Sequence, residues 1–210
     1  MKKFQHVLLL GNAETLPTAF LRKLTAKVDF ILATDGGADR ALASGIRPDA
    51  VIGDLDSISA NARQKLADIP VISVARQDNT DLEKALDWLQ QKGCLCCTLC
   101  GFTGGRVDFT LGNILSLTPY ISNIHLRVCG PGWQMYPVTQ KITVPCVPYK
   151  RVSLLPYSTC RQVRTRGLYY PLTGQTLSPK KAGRSLSNQT TGKRFCISLT
   201  SGLLWVYFED

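Results

Sequence analysis

Six short apolar runs punctuate the first part of the chain: "HVLLLG", "FILATD", "AVIGD", "VISVA", "CCTLCGF" and "HLRVCG". They are continuous rather than alternating, and partly β-branched, as strands buried on both faces are. Amphipathic stretches separate them. In "TDLEKALDWLQQKG", Leu82, Ala85, Leu86 and Leu89 share one helical face, and Gly93 supplies a stop. Strands alternating with helices predict an α/β fold: a mainly parallel six-stranded sheet with flanking helices and right-handed crossovers.

The rhythm changes after residue 130. "KITVPC", "RVSLLPY", "RQVRTRGLYYPL", "RFCISLTS" and "LLWVYFE" read as strands separated by Pro, Gly and Ser, with no convincing helix. We therefore expect two domains, an α/β domain over 1–130 and a C-terminal all-β sandwich over 131–210, joined near "CGPGWQ".

Charge divides along the same line. Through Arg127 there are 14 Lys and Arg against 13 Asp and Glu; from Val128 there are 11 against 2. A basic half suits a phosphate-bearing ligand. "KKAGR" is too short for a nucleic-acid tail, so we expect no nucleic acid among the partners. Four of the eight cysteines crowd into "CLCCTLC" without the paired hairpins of a zinc site, and we read them as core. No apolar run reaches the ~20 residues needed to cross a membrane. The opening "MKKFQHVLLLGNAET" reads as a first strand rather than a signal peptide, which implies a cytoplasmic protein with no membrane partner.

Ligands of open parallel sheets bind beyond the carboxyl ends of the strands, and four successive strand ends here carry acids. Asp35 closes "FILATD" and precedes Gly36 and Gly37. Asp54 and Asp56 close "AVIGDLD". Gln77, Thr80 and Asp81 follow "VISVA". Thr103, Gly104, Gly105, Arg106 and Asp108 follow "CCTLCGF". Each residue has a plainer reading: Thr80 as a helix cap, Asp35 as a turn residue. Together with two diglycines, which let backbone N–H groups approach a phosphate, they point further. Carboxylates beside phosphate need a divalent cation, and magnesium suits oxygen donors shared with phosphate. The residues alone thus suggest magnesium-dependent phosphoryl-type transfer or hydrolysis. Neither a P-loop nor a dinucleotide fingerprint is present, and two histidines support no Ser–His–Asp site.

The ordered motifs "DGGADRAL", "PDAVIGDLDSI", "DNTDLEKAL", "GGRVDFTLGNI", "GLYYPL" and "SLSN" resemble the thiamine pyrophosphokinase family over essentially the whole chain. The resemblance implies transfer of a pyrophosphoryl group from ATP to the hydroxyl of thiamine, giving thiamine diphosphate and AMP. It implies Asp54, Asp56 and Asp81 as magnesium ligands. Asp35, Gly36, Gly37, Lys84, Thr103, Gly104, Gly105 and Arg106 would surround ATP, and Arg106 and Asp108 would join the acids in catalysis. Gln77, Thr80, Tyr170, Ser187 and Asn188 would meet thiamine, Tyr170 by stacking on its pyrimidine. A homodimer with the active site at the subunit interface is also implied. Phe109 and Tyr169 depart from the residues usual in the family, a polar residue and a lysine. As a base for the thiamine hydroxyl, Asp108 is favoured over Asp81, because a carboxylate bound to magnesium is a poor base. Two rival readings are a related diphosphokinase acting on another small alcohol and a non-catalytic nucleotide or nucleic-acid binding module.

Overall fold

The computed structural model describes residues 4–54, 58–74 and 79–210. The chain divides into two compact units, Met1–Pro131 and Gly132–Asp210. In the first, the order is β1 (His6–Leu10), α1 (Thr18–Thr25), β2 (Phe30–Thr34), α2 (Asp35–Ala43), β3 (Ala50–Ile52), α3 (Ala60–Lys65), β4 (Val71–Ile72), α4 (Asp81–Gln91), β5 (Cys96–Cys100), α5 (Val107–Ser116) and β6 (His125–Gly130). The six strands stand in the order β6-β5-β1-β2-β3-β4 and every neighbouring pair is parallel.

The apolar runs become strands because both faces of this sheet are covered. Val7, Leu8 and Leu9 of β1 and Leu99 of β5 are wholly buried. Cys97 and Cys100 are buried with them, and the Cys100 and Cys129 sulfurs stand 3.2 Å apart. Helix α4 buries the four residues that its periodicity marks, Leu82, Ala85, Leu86 and Leu89. Each leucine so buried stabilises the unit by about 1.5–3 kcal/mol.

The second unit contains β7 (Trp133–Val138), β8 (Lys141–Pro145), β9 (Arg151–Pro156), β10 (Cys160–Arg166), β11 (Thr173–Leu177), β12 (Asn188–Gln189), β13 (Arg194–Ser198) and β14 (Leu204–Glu209). These strands form two antiparallel arrays, β12-β9-β14-β7 and β11-β10-β13-β8. Alternate residues of both arrays, among them Val152, Leu154, Val163, Phe195, Ile197 and Val206, share one apolar core. Strands β7 and β11 lie in segments that the apolar pattern does not mark.

Candidate active site

From β1 the chain moves outward through β2, β3 and β4, then returns to the other flank of β1 with β5. At such a reversal the loops leaving the two neighbouring strands part and leave a crevice. Gly11 follows β1 and Gly101 follows β5, and their backbones meet there. A Cβ on Gly101 would lie 2.5 Å from the Gly11 carbonyl oxygen, and one on Gly11 would lie 2.6 Å from that of Gly101. The loops are then tied together by Gly11 N–H donating to Cys100 O at 2.8 Å and Ala13 N–H donating to Gly101 O at 2.7 Å.

The crevice has a volume of about 500 Å³. It brings together Thr80, Asp81, Gly104, Gly105 and Arg106, all expected from the sequence, with Asn12, Ala13, Thr34, Phe102, Phe109 and Asn113, which were not. Asn113 supports the rim by donating to Phe102 O at 2.8 Å. Glu14 lies under Gly104, where a Cβ would be 2.9 Å from its carboxylate, and burial raises the pKa of its carboxyl. Gly104 and Gly105 both have left-handed φ, 90° and 62°, which glycine adopts without strain.

At the neighbouring strand end Asp35 opens α2 and is 1 % exposed. The helix N-terminus favours a negative charge there. Gly36 and Gly37 lie inside the first turn of α2, not in a loop. Their immediate reason is close packing: a Cβ on Gly36 would fall 2.2 Å from Asn12 Nδ2, and one on Gly37 would fall 2.2 Å from the Leu10 carbonyl oxygen. Gly53, with φ 147°, ends β3 against the Asp35 carboxylate, 2.3 Å from its own would-be Cβ. Asp54 follows and is exposed. Leu55, Asp56 and Gln77 lie outside the described residues.

Helix α4 begins with a capping box. Thr80 Oγ1 accepts from Glu83 N–H at 3.3 Å, and Glu83 Oε2 accepts from Thr80 N–H at 2.9 Å. The Thr80 hydroxyl therefore has a local partner, as its plainer reading anticipates. Lys84 is largely buried and its Nζ reaches Asp81 Oδ1 at 3.2 Å. The Asp81 side chain stays 46 % exposed. Thr103 is buried at the end of the β5 loop.

Arg106 forms a fork onto Asp108, with Nε donating to Oδ1 at 3.1 Å and Nη2 to Oδ2, while its guanidinium lies 4.4 Å from the Phe109 ring centroid. The Arg106 hydrogen bonds hold the Asp108 carboxyl below the usual carboxylate range. The same fork competes with proton uptake by Asp108, the acid that sequence reasoning favours as base.

The second unit has its own hollow of about 530 Å³, which brings together Tyr170, Ser187 and Asn188 with Tyr149, Tyr169, Gln189, Arg151 and Glu209. Tyr169 and Tyr170 meet edge to face at 4.9 Å and both rings are exposed. Arg151 pairs with Glu209 at 3.0 Å. Asn188 is 9 % exposed and its amide faces the backbone: Oδ1 accepts from Tyr170 N–H at 3.0 Å and Nδ2 donates to Tyr170 O at 2.7 Å.

Comparison with known proteins follows the same division. Residues 21–128 match the family described as thiamin pyrophosphokinase, catalytic domain, and residues 139–204 match thiamin pyrophosphokinase, vitamin B1 binding domain. The chain is 31 % identical over 186 residues to the thiamine pyrophosphokinase of Bacillus subtilis, covering 82 % of this chain and 84 % of that one. A crystal structure of the thiamin pyrophosphokinase from Geobacillus thermodenitrificans aligns at a TM-score of 0.82 with 29 % identity, over 98 % of this chain and 96 % of that one. The crystal structure of the Bacillus subtilis protein shares the fold at a TM-score of 0.85 and 24 % identity, over 98 % of this chain and 99 % of that one.

Proposed function

Because this chain belongs to the thiamin pyrophosphokinase family, and is an enzyme of that kind, we propose that it moves a pyrophosphoryl group from ATP to the hydroxyl of thiamine, releasing AMP. The observation that carries the reading is the crevice at the β1/β5 reversal, where Asp81, Gly104, Gly105 and Arg106 line one space. The triphosphate is assigned to this crevice. Gly104 and Gly105 line it at left-handed φ, with the Gly104 N–H donated to Thr110 Oγ1 at 3.1 Å, and Arg106, whose Nε and Nη2 are held by Asp108, offers its remaining guanidinium donors to the phosphate oxygens. Lys84 is held at the crevice by Asp81 and supplies a second positive charge.

Magnesium is the cation that suits the donor set. Asp54 is exposed at the end of β3 and Asp81 keeps a half-exposed carboxylate on α4, both hard oxygen donors. Asp56 is assigned as the third ligand. Among the described residues no three His, Cys, Asp or Glu side chains gather closely enough to hold a metal, so the assignment rests on donor chemistry and on family membership. When bound, the ion would offset charge on the phosphate oxygens during displacement. Asp35, buried against Gly53, packs beside the turn that leads to Asp54.

Thiamine is assigned to the hollow of the second unit, its pyrimidine on Tyr170, with Ser187 at the rim. We take the active form to be a homodimer whose sites form between subunits. Helix α5 supports this: it buries none of its residues, and Val107, Phe109, Leu111 and Leu115 are 73, 54, 59 and 53 % exposed. Among the described residues no helix is long and apolar enough to cross a membrane, and a cytoplasmic location is part of the same proposal. The deciding assay supplies ATP, magnesium and thiamine and measures AMP and thiamine diphosphate. ADP as the nucleotide product, or no product from thiamine, overturns the reading. Asp54→Asn should lower turnover by orders of magnitude with the fold intact; near-normal turnover removes the metal assignment.

A further inference from the structure

The outer face of the β11-β10-β13-β8 sheet carries a lattice of cations. Its inner face is core, with Val144, Val163, Thr165, Phe195 and Ile197 buried. Side chains alternate along a strand, so the intervening residues point away from that core. The register sets Arg164 opposite Ser198 and Ser198 opposite Lys141. In the next row Arg166 stands opposite Cys196, and Arg194 precedes Cys196 by two positions on the same face. Lys141, Arg164, Arg166 and Arg194 are all exposed. Among the described residues none of the four takes part in an ion pair.

These charges repel. Two positions along a strand span about 7 Å, and two strands across span about 10 Å, within roughly one Debye length at moderate salt. The second unit has 11 Lys and Arg but only Glu209 and Asp210 as acids, and Glu209 is taken by Arg151. Folding stability gives no reason for the arrangement; a ligand with regularly repeated negative charge does. The positions interleaved with the cations, Thr143, Pro145, Cys196 and Ser198, include no aromatic ring on which a base would stack. We propose that this face docks the phosphate backbone of a nucleic acid, without sequence preference. The face shares no residue with the crevice or the Tyr170 hollow, so the inference stands apart from the catalytic one. It departs from the expectation of no nucleic acid. In "RQVRTR" the cations stand at 161, 164 and 166 with uncharged residues between them, so no charge run forms.

The test is fluorescence anisotropy of the full chain with a labelled single-stranded RNA of about 20 nucleotides, longer than one site of roughly 4–16. Near physiological salt the Kd should lie at about 10⁻⁴–10⁻⁶ M. Four phosphate contacts at about 0.7 each predict a log Kobs–log salt slope near −3, and Arg164→Gln/Arg166→Gln should make it shallower by about 1.4. Lys180→Gln/Lys181→Gln, with the same change in net charge off this face, should leave the slope in place. AMP formation should be unchanged in both, and the arginine variant should melt no lower than the wild type, since it relieves repulsion. No binding, or an equal loss in both double variants, overturns the proposal. So does an arginine variant that binds RNA normally but turns over ATP poorly, because the face then serves the substrate's phosphates.

Discussion

Asn188 holds both backbone polar groups of Tyr170, accepting from its N–H at 3.0 Å and donating to its carbonyl at 2.7 Å. The same Oδ1 accepts from Gln189 N–H at 2.8 Å. The amide is nine-tenths buried and most of its hydrogen-bonding capacity is spent, so its first task is to fix the segment that displays the Tyr170 ring. Asn188→Ala should cost about 1–3 kcal/mol of stability, since three backbone groups lose their partner. It should also raise the thiamine KM more than it lowers kcat. Asn188→Asp keeps the acceptor and loses the donor, and should fall between. Thermal denaturation with steady-state kinetics checks both; a thiamine KM that stays put in Asn188→Ala shows that the clamp does not govern binding.

Arg106 and Asp108 form one unit on the rim of the crevice. Arg106→Gln should let the Asp108 carboxyl rise back toward 3.8, a shift readable by carbon-13 NMR titration of that carboxyl. The same change should lower kcat by about 10²–10³, the usual loss on removing a donor aimed at developing charge. Asp108→Asn should cost less if the chief task of Asp108 is to hold the Arg106 fork. A larger loss in Asp108→Asn than in Arg106→Gln reverses that assignment.

The parallel sheet is legible in the sequence because a strand covered on both faces must be apolar at every position, as Val7 to Leu10 and Ala50 to Ile52 are. Strands β7 and β11 are not. Five of the six β7 residues are only half-buried and it contains Pro137, and β11, "TGQTL", has no fully buried residue. At the crevice, the acids announce themselves by falling at strand ends. Asn12 and Asn113 do not, because their places depend on which loops the strand order makes neighbours. Gly11 was the available sign, a glycine directly after a buried strand. Gly36 and Gly37 are legible in the sequence as a diglycine after a strand, but their close packing is not: only the place of α2 against β1 shows that Leu10 O leaves no room for a side chain at Gly37.

That contact gives a paired prediction on two helical glycines. Gly37→Ala places a Cβ about 2.2 Å from backbone oxygen, which cannot swing aside as a side chain can, and should cost roughly 1–3 kcal/mol or more. Gly112 in α5 has nothing within 4 Å of its would-be Cβ and no left-handed φ. There Gly112→Ala should stabilise the protein by about 0.5–1 kcal/mol, by cutting the entropy of the unfolded chain and raising helix propensity. Denaturant unfolding of the two variants should move in opposite directions; Gly37→Ala at wild-type stability would show that α2 can slide away from β1.

His6 makes the acid limb of stability specific. The Thr98 hydroxyl oxygen accepts from Arg127 Nε at 3.2 Å and Nη2 at 3.0 Å, and lies 2.8 Å from His6 Nε2. With its lone pairs engaged, Thr98 uses its one proton to donate to His6, which fixes the neutral ring with its proton on Nδ1. Burial first, and then the Arg127 charge, lower the His6 pKa from 6.5. The folded state thus binds this proton less readily than the unfolded chain. The resulting stability is fully present above pH 6.5 and is lost as pH falls through the lower native value. His6→Gln keeps an acceptor for Thr98 but cannot titrate. As pH drops below 6.5, the wild-type protein should lose stability relative to this variant; unfolding curves that stay parallel across that range would mean that the His6–Thr98 contact does not select the neutral ring.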